Sequence, residues 1–250
     1  MVAKTIKLPN IRKMFLPDPG YVLVDADLER ADAQVVAWDA GDADLKKIFR
    51  SGADIHTENA KAIFKTASPT PVQRQKAKGG VHAVNYFVQA RTLAAQLEIT
   101  IHEAQEFIDL WLHAHPAIKR WHEKIETQLM MTRQVQNAWG FRRFYFDRIE
   151  HLLPEALAWI GQSTVGITIN KAMMNIYRNL PEVQLLLQVH DSLVMQVPEK
   201  LCPAIFSEIQ SQMLIPIPYP DPLIIPVSIK YSEKSWGDLR DWKPNDKKAA

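Results

Sequence analysis

The stretch Tyr21-Val22-Leu23-Val24-Asp25-Ala26-Asp27 decides the fold. Its apolar, valine-rich run reads as a buried strand, and that strand ends on carboxylates. Far downstream, Leu185 to Val197 reads as a strand pair with His190-Asp191 near its tip, and Leu223 to Tyr231 as a closing strand. Asp191, like Asp27, stands where an apolar run ends. Between the strands the periodicity is helical. Helices are expected over Ala31 to Trp38, Ala43 to Phe49 and Thr57 to Phe64. A longer one opens at Pro69-Thr70-Pro71 and runs to about Phe87. Ile101 to about Met130 is helical with a break at Pro116. A hairpin around Gly140 spans Asn137 to Phe146, and helices follow over Pro154 to Leu180 and Pro203 to Met213. Strands bracketing a helical middle predict an open sheet with a helical insertion. The tail 245–250 is expected to fray.

Composition narrows the function. The chain has 250 residues, 47% of them hydrophobic, with a net charge of +2. No run approaches the roughly 18 uninterrupted apolar residues of a membrane span, so no membrane is expected among the partners. The first residues lack the apolar core of a secretory signal. The single cysteine, Cys202, forms no internal disulfide and is too few for a cysteine-rich zinc site, so a reducing compartment, the cytoplasm, is expected. A total of +2 excludes a general basic coat for nucleic acid.

Locally the charge is segregated. From Asp18 to Asp44 the chain carries Asp18, Asp25, Asp27, Glu29, Asp32, Asp39, Asp42 and Asp44, opposed only by Arg30. From Lys61 to Arg91 it carries Lys61, Lys65, Arg74, Lys76, Lys78 and Arg91 and no acid, so nothing within that run pairs Arg74 or Lys78. Basic residues recur at Lys119, Arg120 and Lys124, and at Arg142, Arg143 and Arg148. An acidic patch beside a basic one suits divalent metal next to phosphate; two solvated helix faces carry the same pattern. Two aspartates from two adjacent strands suffice to hold magnesium, although aspartates at strand ends also serve turns. Gly79-Gly80 inside a helix costs roughly 1–2 kcal/mol against alanine, which implies close approach to the backbone there.

Three motifs then bring a family into view. The first is Val24-Asp25-Ala26-Asp27-Leu28-Glu29-Arg30-Ala31-Asp32-Ala33-Gln34, followed by Asp54-Ile55-His56. The second is Arg74-Gln75-Lys76-Ala77-Lys78-Gly79-Gly80-Val81-His82-Ala83-Val84-Asn85-Tyr86, and the third Gln188-Val189-His190-Asp191-Ser192-Leu193-Val194. Gln162-Ser163-Thr164 fits a further glutamine motif. In this order and spacing the chain resembles the family A DNA polymerases of the bacterial DNA polymerase I type, most closely their phage-like branch.

The resemblance implies an α+β fold, an antiparallel palm sheet interrupted by helical fingers: palm over 1–36 and 150–250, fingers over 37–149. It implies that Asp27, Asp191 and the Leu28 carbonyl hold two magnesium ions. Arg74, Lys78, His82 and Tyr86, four apart, fall on one helix face, which in the family holds the incoming nucleotide. Arg74 and Lys78 would bind its phosphates near His56, and Lys78 would protonate the departing pyrophosphate. The His82 ring would pack on sugar and base, with Tyr86 near the template base. Asp32 stands where the family usually has the longer glutamate that excludes a ribose 2′-OH. Gln162 would reach the minor groove, Gln188 and His190 the primer end, and Arg142 and Arg143 the DNA backbone. Ser192 stands where many relatives carry a glutamate. The partners implied are primer–template DNA and a deoxynucleoside triphosphate. The stretch before Asp27 is too short for the family's thumb and exonuclease domain, so both are expected to be absent, the chain being part of a truncated enzyme or of a split one in which a companion chain supplies them. Two other readings remain open, a non-catalytic nucleic-acid-binding remnant and a single-subunit RNA polymerase.

Overall fold

Strand β1, Tyr21–Leu28, is the middle strand of a five-stranded sheet. The computed structural model describes residues 9–146 and 152–243. The expected fraying at 245–250 and the expectation for Arg148 lie outside them. Beside β1 lie β5, Ser192–Pro198, and β6, Val227–Ser232. The edges are β4, Gln184–Val189, and β7, Arg240–Asp241, in the order β4-β5-β1-β6-β7, every pair antiparallel. Val22, Leu23, Val24, Ala26 and Leu28 are buried, which is why β1 reads as a nearly continuous apolar run. The closing strand begins at Val227, not Leu223. Pro226 has no N–H to give a ladder, and its carbonyl accepts the Glu29 N–H at 2.8 Å. Leu223 forms an isolated bridge with Ile217 instead.

The helices are α1 Ala31–Asp39, α2 Ala43–Ser51, α3 Ile55–Phe64, α4 Pro71–Asn85, α5 Ala90–Leu97, α6 Ile101–Ala114, α7 Pro116–Thr132, α8 Leu153–Asn179 and α9 Ala204–Met213. Local chemistry starts several of them. The side chains of Asp42 and Asp54 cap α2 and α3, and capping boxes open α4 (Thr70 with Gln73) and α6 (Thr100 with Glu103). A small hairpin joins β2, Gln134–Gln136, to β3, Arg142–Phe144, with Gly140 at φ 86. The short α5 and the two-residue β7 have no counterpart in the sequence reading.

The chain divides into two compact units. One comprises the residues through Glu29, Gly166–Pro216 and those from Ile224 on. It contains the sheet, the later part of α8 and α9, which packs against β6. The other, Arg30–Val165 with Ile217–Leu223, contains α1 to α7, the small hairpin and the beginning of α8. Its core gathers Phe107, Trp111, Ile118, Trp121 and Leu129. The close approach expected at Gly79-Gly80 occurs at Gly80, whose missing side chain makes room for the Phe107 ring. No helix among the described residues is long and apolar enough to cross a membrane.

Candidate active site

Two aspartates meet at the end of β1. Asp27 is register partner of Ser192, the residue after Asp191, and the Leu28 N–H donates to the Asp191 carbonyl at 3.0 Å. Backbone pairing therefore brings the two carboxylates to neighbouring strand ends. His190-Asp191 forms the tip between β4 and β5, with His190 in left-handed conformation at φ 54. Burial, and next the negative charge of Asp191, push the Asp27 carboxyl up to about 6; Asp25 and Glu29 add to this and Lys230 opposes it. The Asp25 carboxylate accepts the Trp236 indole N–H at 2.9 Å.

This donor set fits a divalent cation. It offers hard oxygen ligands whose mutual repulsion a cation relieves. Among the described residues no three or more His, Cys, Asp or Glu side chains form a metal-holding group. Magnesium typically takes one or two carboxylates and completes its shell with water and substrate phosphate, so the pair suffices.

A second cluster lies in the helical unit. Along α4, Lys78 and His82 are exposed while Arg74 and Tyr86 are partly buried. The His82 ring stands edge-on to Tyr86 with centroids 5.1 Å apart. Arg74 is not unpaired. Its Nε and Nη2 donate to the Asp54 carboxylate at 2.7 and 3.0 Å. The partner comes from outside the acid-free run, from the cap of α3. The Arg74 hydrogen bonds, foremost, hold the Asp54 carboxyl well below the usual carboxylate range. His56 is pushed below its ordinary value, first by burial and then by Lys78, Arg74 and Arg30, with Asp54 opposing. Arg74, Lys78 and His56 thus share one neighbourhood. Arg30 joins them, a residue the motif reading passed over, although its isolation among eight acids was a signal.

The Tyr86 hydroxyl is buried without a hydrogen-bond partner. Burial, then the charge of Asp32, drive its ionisation far above the usual range. Asp32 lies in the first turn of α1, partly buried. Gln162 on α8, Gln188 on β4 and His190 at the strand tip are exposed. Arg142 is exposed on β3. Its neighbour Arg143 points to the opposite face, where it pairs with Glu155 and lies over the Tyr145 ring at 5.0 Å. Ser192 donates its hydroxyl to the Val189 carbonyl at 3.2 Å, closing the strand tip.

The family model described as DNA polymerase family A matches residues 2–238. The chain belongs to DNA polymerase family A. It is 30% identical over 231 residues to the thermostable DNA polymerase I of Thermus aquaticus, covering 88% of this chain and 28% of that protein. It is 33% identical over 231 residues to the DNA polymerase I of Chloroflexus aurantiacus, covering 83% of this chain and 24% of that protein. This family A chain therefore spans about a quarter of the length of these relatives. Among solved structures, the POL domain of Pol1 from M. smegmatis, in complex with DNA primer-template and dNTP, matches with a TM-score of 0.82 at 25% identity. The match covers 90% of this chain and 42% of that one. The antiparallel sheet with its helical insertion is the architecture shared with that polymerase domain.

Proposed function

We propose that this family A chain is the catalytic portion of a template-directed DNA polymerase, adding deoxynucleotides to a primer 3′-OH. The observation that carries the reading is the register of Asp27 with Ser192, which sets Asp27 and Asp191 at neighbouring strand ends. In this reading Asp27, Asp191 and the Leu28 carbonyl hold two magnesium ions. When bound, such ions lower the pKa of the attacking hydroxyl and offset charge at the transferred phosphate.

The remaining roles belong to the chain's own residues. Arg74, Lys78 and His56 bind the triphosphate, and Lys78 gives a proton to the departing pyrophosphate. His82 packs on sugar and base, Tyr86 lies near the templating base, and Asp32 excludes a ribose 2′-OH. Gln162 contacts the minor groove, where a degenerate pattern lets one side chain test any pair. Gln188 and His190 face the primer end, and Arg142 and Arg143 contact DNA phosphates. Opening and closing of the fingers helix gates selection. The partners are primer–template DNA, a deoxynucleoside triphosphate and a companion chain.

The test is primer extension with magnesium, with the chain alone and with a thumb-bearing partner in trans. Asp27→Asn and Asp191→Asn are each expected to abolish incorporation while the circular dichroism spectrum stays unchanged. Extension surviving either substitution overturns the two-metal assignment. DNA binding without extension in every arm favours a non-catalytic binding protein.

A further inference from the structure

The start of α3 gathers cations from two parts of the helical unit, the residue before α1 and helix α4. Arg30, just before α1, adopts a left-handed backbone at φ 53 and donates from Nη1 to the Ala53 carbonyl at 3.3 Å. The next residue is Asp54, whose carboxylate takes Arg74 Nε and Nη2 at 2.7 and 3.0 Å. The same carboxylate accepts the Thr57 hydroxyl at 2.6 Å and the His56 N–H at 3.3 Å. Asp54 is thus fully engaged and fixed at the helix cap, and it sets the plane of the Arg74 guanidinium. Lys78 follows one turn later on α4. His56 registers all three cations at once, with Lys78, Arg74 and Arg30 each disfavouring its charged form.

Three cations therefore stand about His56, and only one of them, Arg74, is paired with the Asp54 carboxylate. Like charges this close repel, and an anion placed among them relieves the repulsion. The amino end of α3 adds its own partial positive charge. Arg30 is exposed, gives a single hydrogen bond to Ala53, and forms no ion pair among the described residues. A guanidinium has five N–H donors in a fixed fork, a shape that matches paired phosphate oxygens. We propose that Arg30 is a third phosphate-binding side chain, which with Arg74 and Lys78 grips the polyphosphate tail of the incoming nucleotide. This rests on the polymerase reading for the identity of the nucleotide, and on the cluster alone for its affinity for a polyphosphate.

The experiment compares wild type with Arg30→Gln, which removes the charge and keeps much of the length, and with Arg30→Lys, which keeps the charge. In primer extension Arg30→Gln is expected to raise the KM for deoxynucleotide about tenfold, with kcat within about twofold. Arg30→Lys recovers part of that loss, and the melting temperature of both stays at the wild-type value. An unchanged KM overturns the assignment, as does a fall in kcat alone. Calorimetric titration with inorganic tripolyphosphate, without DNA, separates this proposal from the polymerase reading. Binding by wild type that weakens about tenfold in Arg30→Gln supports it, even if wild type extends no primer, in which case only the polymerase reading fails. Equal binding by the two, or none by wild type, overturns it.

Discussion

The Tyr86 hydroxyl lies where a side chain at Gly161 would begin: a Cβ there would meet Oη at 2.6 Å and the ring carbons Cζ and Cε1 at 3.5 and 3.6 Å. The tyrosine that ends α4 as its C-cap is seated over a glycine on α8, with its hydroxyl buried and unpaired. Gly161→Ala is expected to destabilise the protein by about 1–3 kcal/mol through overpacking. Tyr86→Phe removes the clashing oxygen and leaves only ordinary carbon contacts. In that background Gly161→Ala becomes stabilising by about 1 kcal/mol, the helix-propensity gain. Denaturant unfolding of the four proteins reads both signs, and an unchanged sign for Gly161→Ala in the two backgrounds refutes the seating.

Neighbouring glycines on α4 are expected to behave oppositely. A side chain at Gly80 would run into the Phe107 ring, whereas one at Gly79 meets nothing closer than Leu97 Cδ2 at 3.8 Å. Gly79→Ala is expected to stabilise by about 1 kcal/mol, and Gly80→Ala to destabilise by about 1–3 kcal/mol. The midpoints of urea unfolding check the pair, and shifts in the same direction count against the Phe107 contact.

Asp39 makes stability pH-dependent. At the end of α1 its carboxylate accepts the Trp121 indole N–H at 3.1 Å. Burial, with Lys124 opposing, pushes its pKa from 3.8 up to about 6. The folded protein holds this proton more tightly than the unfolded chain. The corresponding stability is fully present below about pH 4 and is lost as pH rises through about 6. Asp39→Asn keeps an acceptor for Trp121 and removes the charge. It is expected to gain stability over wild type at neutral pH, on the order of 2 kcal/mol, and to lose that advantage toward about pH 4. A difference independent of pH would exclude Asp39 as the source.

Asp221 anchors the segment Ile217–Leu223. Its carboxylate takes Arg50 Nη2 at 2.6 Å on both oxygens and Lys46 at 3.5 Å, while its carbonyl accepts the Trp38 indole N–H at 2.8 Å. Lys46 and Arg50 also lie over the Trp38 ring, at 5.1 and 5.3 Å. Asp221→Ala is expected to speed amide hydrogen exchange at Ile217 and Leu223, which bond to each other across the segment. Arg50→Gln should do much the same, and the double variant should add little, because both act on one network. Exchange at the wild-type rate in Asp221→Ala would show that Trp38 alone holds the segment.

Helix starts are legible in the sequence because their chemistry is local. Thr70 with Gln73 and Thr100 with Glu103 each satisfy one another three residues apart. Helix α5 escapes such a reading, being eight residues long, without a side-chain cap, and ended by Glu98 in left-handed conformation. The start of β6 escapes it for a related reason. Ile224 and Ile225 are as strand-like as Val227, and only the carbonyl of Pro226 bonding to Glu29 shows where pairing begins.

The site divides the same way. Asp27 and Asp191 stand out as carboxylates ending apolar runs, and Arg74, Lys78, His82 and Tyr86 as one helical stripe, because a strand and a helix have fixed periods. The partner of Arg74 is hidden, since Asp54 lies twenty residues upstream and reaches it only once α3 and α4 pack. The cluster around His56, with Arg30 in it, is equally a product of packing.

By itself, then, the sequence determines which residues end the strands, where most helices begin and which side chains share a helix face. Those properties depend on backbone geometry and on groups a few residues apart. Only the tertiary structure decides that Asp27 and Asp191 are neighbours, that Asp54 clamps Arg74, and that Gly80 and Gly161 must stay small beside Phe107 and Tyr86. Each of these depends on the register or packing of segments distant in the chain, and no local periodicity encodes that.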